Sequence, residues 1–248
     1  MEWSIMANLT HYRNEITAMP YRIDLVKQQY TVWKKGASVY DFYLPESAGV
    51  NPDNGEELYY YYEDNGQKSK TSIYTLAAEK GRKDLGSALP KLFGSVGNDL
   101  TYKNFTLSLL FTFGLGGKYY DNIYEELMTS QNMGQNFSED LLGRWTPENR
   151  NSAIPRLEYG NLDIAQPSSR FLSDASYLSW RNASLAYTFR PERIQKLKLK
   201  SLKIYAAGDN LMLFSARKGM DPQATFNGNP GYVYSPARTI IVGLKVGL

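Results

Sequence analysis

The chain has 248 residues, enough for one large β domain or one to two ordinary domains. Hydrophobic residues make up 42% and charged residues 21%, which excludes an intrinsically disordered chain. The net charge of +3 is too small to argue for nucleic acid, and the absence of cysteine excludes disulfides, thiolate metal sites and cysteine nucleophiles.

Mean hydropathy is negative, and no stretch approaches the ~20 apolar residues of a membrane helix. A barrel strand needs only ~9–11 residues, half of them apolar, so the low value leaves a membrane barrel open. The 20 tyrosines suit a barrel with aromatic girdles, and equally a sugar-binding β protein. Met1 leads straight into a strand-like alternation, with no basic n-region and no apolar h-region. The sequence thus shows no signal peptide.

In chain order, strands are expected at about 2–12, 36–50, 56–63, 88–102, 104–118, 171–190, 200–214 and 237–248. The clearest is 104–113, where Phe105, Leu107, Leu109, Phe111 and Phe113 share one face, opposite Thr106, Ser108 and Thr112, with Leu110 as an exception. Ala183, Leu185, Tyr187 and Phe189 make another apolar face, and Leu202, Ile204 and Ala206 begin a third. At the end, Ile240, Val242, Leu244, Val246 and Leu248 share a face, with Ile241 as the exception. Phe105, Leu107, Leu109, Phe111, Ile240, Val242, Leu244 and Val246 are expected to face lipid.

The connections at 51–55, 103–104 and 191–199 are short, and those at 13–35, 64–87, 119–170 and 215–236 are long. Short and long links on opposite ends mark an outer-membrane barrel, with every short link in the periplasm. Within the longest loop, 119–131 and 137–142 are expected to hold short helices, the second opened by Ser138 ahead of Glu139 and Asp140.

Chemical motifs are sparse. His11, the one histidine, reads as a rim residue without a catalytic partner. Residues 114–118 (GLGGK) lack the Walker spacing and read as a strand exit. Residues 51–56 (NPDNGE) and 63–65 (EDN) lack the acidic spacing of a calcium loop; the first reads as a turn. The four tyrosines at 59–62 read as part of an interfacial girdle, and 196–200 (KLKLK) as a solvated turn. No catalytic, cofactor or metal residues are assigned, and individual substrate-contacting residues are unknown at this stage. Residues 119–170, the longest connection, hold Trp145, Tyr159, Arg144, Arg150 and Arg156, residue types suited to partner contacts and sugar stacking. The alternative for 144–149 is that it folds the loop onto the barrel.

Several strings occur together and in order: 41–56 (DFYLPESAGVNPDNGE), 89–113 (LPKLFGSVGNDLTYKNFTLSLLFTF), 143–149 (GRWTPEN), 173–189 (SDASYLSWRNASLAYTF), 202–215 (LKIYAAGDNLMLFS), 219–223 (GMDPQ) and 235–248 (SPARTIIVGLKVGL). This set resembles the C-terminal part of SusC/RagA-family TonB-dependent outer-membrane transporters, over residues 1–248. The resemblance implies an all-β, antiparallel up-and-down transmembrane β-barrel segment, about eight strands of a larger 22-stranded barrel. It implies import of oligosaccharides or peptides with energy supplied through TonB. The implied partners are a SusD-type surface lipoprotein, the TonB complex and the lipid bilayer. The implied place is the outer membrane of a Gram-negative, Bacteroidetes-like cell. The signal peptide, TonB box and plug domain of the family are absent from the sequence. The competing readings are a small stand-alone structural or adhesive barrel and a soluble carbohydrate-binding β protein. An enzyme is the least supported, for want of a catalytic constellation.

Overall fold

The structure is a computed structural model. It describes every residue except 22, 24, 130–133, 135 and 230. Its main feature is a six-stranded antiparallel sheet of β1 (Glu2–Thr10), β2 (Leu92–Tyr102), β3 (Phe105–Leu115), β4 (Tyr177–Thr188), β5 (Ser201–Ser215) and β6 (Thr239–Gly247). The strands sit in sequence order, each paired with its predecessor, and the sheet does not close on itself: β1 and β6 each pair on one side only.

The register lines up apolar residues across strands. Phe105 lies opposite Tyr187, Tyr187 opposite Ile204, and Ile204 opposite Leu244. Two residues further on, Leu107, Leu185, Ala206 and Val242 form the next row. The eight residues expected to face lipid therefore share one face, and Phe105, Leu185, Ile204, Val242 and Leu244 are exposed on it. The opposite face carries Thr106, Ser108, Ser184, Asn182, Lys203 and Lys245, and here small side chains such as Ala186 and Ser179 are the buried ones. Leu110 and Ile241 fall on this polar face, as their odd phase requires. Large apolar residues outside and small polar ones inside invert the soluble pattern, and so continuous an apolar surface marks an interaction with something other than water.

Tyrosines stiffen the polar face where glycine leaves a gap. A Cβ on Gly243 would come within 2.3 Å of the Tyr205 ring from the neighbouring strand, and one on Gly114 within 2.6 Å of Tyr177. Each ring covers the bare backbone across from it, the usual way an aromatic supports a strand glycine.

Three long links, 11–91, 116–176 and 216–238, leave one end of the sheet; the two short ones, 103–104 and 189–200, lie at the other. The expected separation of long from short links holds, with two corrections. First, the segments expected as strands at 36–50 and 56–63 do not join the wall. They form Asp41–Pro45, Ser47–Val50 and Glu57–Tyr62, paired in small separate sheets within the first long link. Strands of four to six residues are too short for the ~9–11 that a crossing needs. Second, the 51–55 turn consequently belongs to the end with the long links. The separation survives because two strands were lost together, which leaves the direction of all the others unchanged. The tyrosines at 59–62 go with them: Tyr59 is wholly buried and Tyr60 lies under the Lys68 ammonium at 3.7 Å, so these residues form no girdle on the wall.

The long links pack on one another as a cap. Its centre is Phe42, Leu44, Tyr120, Met128, Leu141, Ile164 and Phe171, with residues drawn from the first and second links. Burying each large side chain contributes roughly 1.5–3 kcal/mol. The two helices expected in the second link are present as Asn122–Met128 and a 3-10 turn at Glu139–Gly143, the latter capped by Ser138, which accepts from Asp140 N at 3.3 Å. Residues 130 and 131 of the first expected helix lie outside the described residues.

Candidate binding site beneath the loop cap

The cap is held by buried polar contacts between links distant in sequence. Glu57 is 1% exposed; it accepts from Ala165 N at 2.9 Å and pairs with Arg170 at 3.4 Å. Burial pushes the Glu57 carboxyl up from its ordinary range, opposed by the Arg170 charge. The Tyr59 hydroxyl donates to Asp163 O at 2.8 Å, and Asp163 Oδ1 accepts from Tyr74 N at 2.7 Å. These bonds tie residues 57–74 to 163–170.

The residues nominated for partner contacts divide. Trp145 donates from Nε1 to Pro52 O at 3.0 Å, and its ring covers Gly55, where φ is 75°. Arg156 donates to Asn54 O at 2.6 Å and to Glu158 at 2.9 Å. Both therefore clamp the 51–55 turn. The reading of 51–56 as a turn holds; the 144–149 segment packs on that turn, within the cap, where the alternative had it fold onto the barrel. Arg144 and Arg150 donate to Leu141 O and Pro147 O within their own loop, each at 3.2 Å. Tyr159 remains exposed, as does Leu142. Among the described residues no group of three or more His, Asp or Glu could hold a metal.

His11 lies at the rim, exposed, with Nδ1 2.6 Å from Lys91 O. Residues 114–118 are a strand exit whose Gly117, at φ 81°, passes so close to Ala88 O that a Cβ would lie 2.8 Å from it. Residues 196–200 form a largely exposed turn.

The third long link creates a site that the sequence did not announce. Arg217 is anchored on Asp121, with Nε 3.0 Å from Oδ2, and stacks at 4.1 Å over the Tyr124 ring. Asp121 also caps Asn122–Met128, accepting from Tyr124 N at 2.9 Å. Further along, Gly228 O accepts from Tyr120 N at 2.7 Å in a gap where a Cβ would meet Ala88 at 2.7 Å and Phe42 at 3.0 Å. Between these anchors the link bends back over the polar face, where Thr112 Oγ1 reaches Gln223 Oε1 at 3.5 Å.

Beneath it lies a cavity of about 630 Å3 bordered by Asn8, Ser95, Thr112, Tyr177, Arg181, Asp221, Gln223 and Tyr234. A second of about 260 Å3 shares Phe93, Tyr177 and Gln223 with it. The second is aromatic: Tyr12 stacks on Phe226 at 5.7 Å and meets Phe93 edge-on at the same distance. The Tyr12 hydroxyl is buried without a hydrogen-bond partner among the described residues. Two neighbouring chambers, one lined in part by amides and hydroxyls and one aromatic, can hold an extended ligand by hydrogen bonds at one end and stacking at the other.

No family model matches the chain. It is 26% identical over 98% of its length to TonB-dependent receptor P3 of Formosa agariphila, and 30% identical over 65% of its length to TonB-dependent receptor P26 of the same organism. It spans 26% and 17% of those relatives. In fold it matches the RagAB peptide transporter with a TM-score of 0.81 at 24% identity, covering 98% of this chain and 27% of that one. The open-open state of the RagAB peptide importer gives the same TM-score over 99% of this chain. Along nearly its whole length the chain is thus similar to TonB-dependent receptors, and its wall, with the apolar side turned outward, has the fold of the matching part of the RagAB transporter.

Proposed function

We propose that the chain supplies part of the wall and of the extracellular cap of an active importer of oligosaccharides or peptides. In this reading it is the C-terminal part of a 22-stranded barrel, energised through TonB and lidded by a SusD-type surface lipoprotein. The observation that carries the reading is the placement of all three long links at one end, interlocked and folded over the polar face. Such a cap narrows the way in and leaves a passage along a polar lumen. The unpaired edges of β1 and β6 support a larger barrel: in lipid every backbone group must be paired, so both edges need further strands. The same edges count against a small stand-alone barrel. The exposed apolar face counts against a soluble carbohydrate-binding protein.

Uptake of a mixed set of labelled oligosaccharides and peptides by cells carrying the complete receptor tests this. Uptake that requires a functional TonB is the expected result; equal uptake without it contradicts the proposal. Replacing the exposed Leu142 and Tyr159 by serine is expected to lower co-purification of the lipoprotein, with the barrel itself assembled normally.

A further inference from the structure

The bulge in β4 sets one side chain apart. The apolar face of β4 is held by Leu178 and Trp180, and then by Ala183, Leu185 and Tyr187, so its phase slips by one residue between. Leu110 pairs with Asn182 and Phe111 with Trp180, leaving Arg181 with no opposite residue on β3. A bulge frees the extra residue from the ladder and re-aims its side chain. Here Arg181 borders the larger cavity together with Ser95, Thr112 and Tyr177 of the polar face.

Among the described residues Arg181 is the one cation bordering that cavity, and it makes no hydrogen bond or ion pair. The carboxylates nearby are committed elsewhere. Asp209 accepts from Asn182 Nδ2 at 2.7 Å. Asp221 is 7% exposed and its Oδ1 accepts from Gln223 N at 3.0 Å and Gln223 Nε2 at 3.2 Å. The other polar side chains, Asn8, Ser95, Thr112, Tyr177, Gln223 and Tyr234, are neutral amides and hydroxyls. The remaining cations of the polar face, Lys203 and Lys245, sit opposite one another near the short-turn end.

We propose that Arg181 anchors a carboxylate carried by the imported molecule, in a subsite between the polar face and the 216–238 link. This rests on the import reading above. Arg181 is itself exposed, so its guanidinium is free to turn toward a ligand, and it offers a planar fork that matches a carboxylate with two parallel hydrogen bonds. Asp221 borders the same cavity and disfavours a second anion there, so the neutral part of the ligand lies over the amides and hydroxyls. A uronic acid and a peptide C-terminus present the same group.

The test uses the complete receptor in three forms: natural, Arg181→Gln and Arg181→Lys. The probes are an oligoglucuronate with its methyl ester and a tripeptide mixture with its C-terminal amides, and retention is read by equilibrium dialysis and mass spectrometry. The natural receptor is expected to retain at least one acid probe about tenfold better than its neutral counterpart. Arg181→Gln is expected to erase that preference, and Arg181→Lys to keep part of it. The pair that shows the preference identifies the source of the carboxylate. Heat-modifiable mobility checks that each variant is folded. Equal retention of acid and neutral forms, no retention of any probe, or a preference that survives in Arg181→Gln overturns the assignment. TonB-dependent uptake by the natural receptor that shows no acid preference sinks this inference alone and leaves import standing.

Discussion

The wall and the cap use the same kinds of residue in opposite directions. In the wall, Phe105, Leu185, Ile204 and Leu244 are exposed while Ala186 and Ser179 are buried. In the cap, Phe42, Leu44 and Phe171 are buried at a common centre, as in a soluble domain. Both regions are built from alternating strands, so alternation alone does not say which side is wet. Strand length and connection do. The wall strands run 9–15 residues and pair in sequence order, whereas the cap strands run 3–6 residues and depend on contacts from distant links. One region is specified by its solvent, lipid on one side and water on the other. The other is specified by its own packing.

The largest effect that would sharpen this contrast comes from the buried pair in the cap. Arg170→Met leaves Glu57 without its partner in a fully buried position, a loss on the order of 3–5 kcal/mol. Because the cap lies outside the ladder, limited proteolysis of the complete receptor should show cleavage in residues 144–165 while the barrel stays heat-modifiable. Loss of the barrel as well would mean that wall and cap are one cooperative unit.

On the wall, Leu107→Arg should cost about 2–4 kcal/mol of barrel stability, and Ser108→Arg much less, since only the first puts a charge into hydrocarbon. The pair is compared by denaturant titration in bilayers, and equal costs would remove the distinction between the faces.

A smaller effect is expected at the 51–55 turn. Gly55→Ala combines a positive φ with a Cβ 2.4 Å from the Trp145 ring, which should cost roughly 1–3 kcal/mol. The readout is faster hydrogen exchange at both 51–55 and 144–149. Exchange that changes at only one of the two segments would show that the clamp is unimportant.

A further effect is with pH. Burial pushes Glu125 up to about 7 from its ordinary 4.5, against the pull of the Tyr120 hydroxyl, which donates to Glu125 Oε2 at 2.6 Å. A carboxyl with a raised folded value costs nothing below about 4.5, where both states are protonated. The unfolded state ionises first as pH rises, so cap stability should fall between about 4.5 and 7 and then level off. Hydrogen exchange of 120–128 at pH 5 and pH 8, corrected for the intrinsic rate, measures this. Glu125→Gln should flatten only part of the slope, because Glu57 is shifted in the same sense.

Much of the wall was legible in the sequence because lipid imposes a strict period of two. The rows through Phe105–Leu115 and Thr239–Gly247 fall where the alternation put them, including the misfit residues Leu110 and Ile241. The cap was legible only locally. Phe42 and Leu44 alternate as clearly as Leu107 and Leu109, and nothing in five residues says that they face a packed centre. The Trp145–Gly55 clamp joins residues 90 apart, and no local rule links them. Arg181 left a trace that was missed: the apolar phase in β4 changes from Leu178 and Trp180 to Ala183 and Leu185, the mark of an inserted residue. The chamber under residues 216–238 left none, since it arises from the anchoring of Arg217 and Gly228 on other links.

The central claim is that the wall has one face in lipid and one in a wet lumen, set by strand phase and not by hydrophobicity. The chain contains no cysteine, so single cysteines can be placed at 107, 108, 109 and 110 in a cysteine-free form of the complete receptor. Each is labelled with a small fluorophore, and quenching by brominated lipid acyl chains is measured. The account predicts strong quenching at 107 and 109 and weak quenching at 108 and 110, although residue 110 is a leucine. Strong quenching at 110, or equal quenching at all four positions, would contradict it.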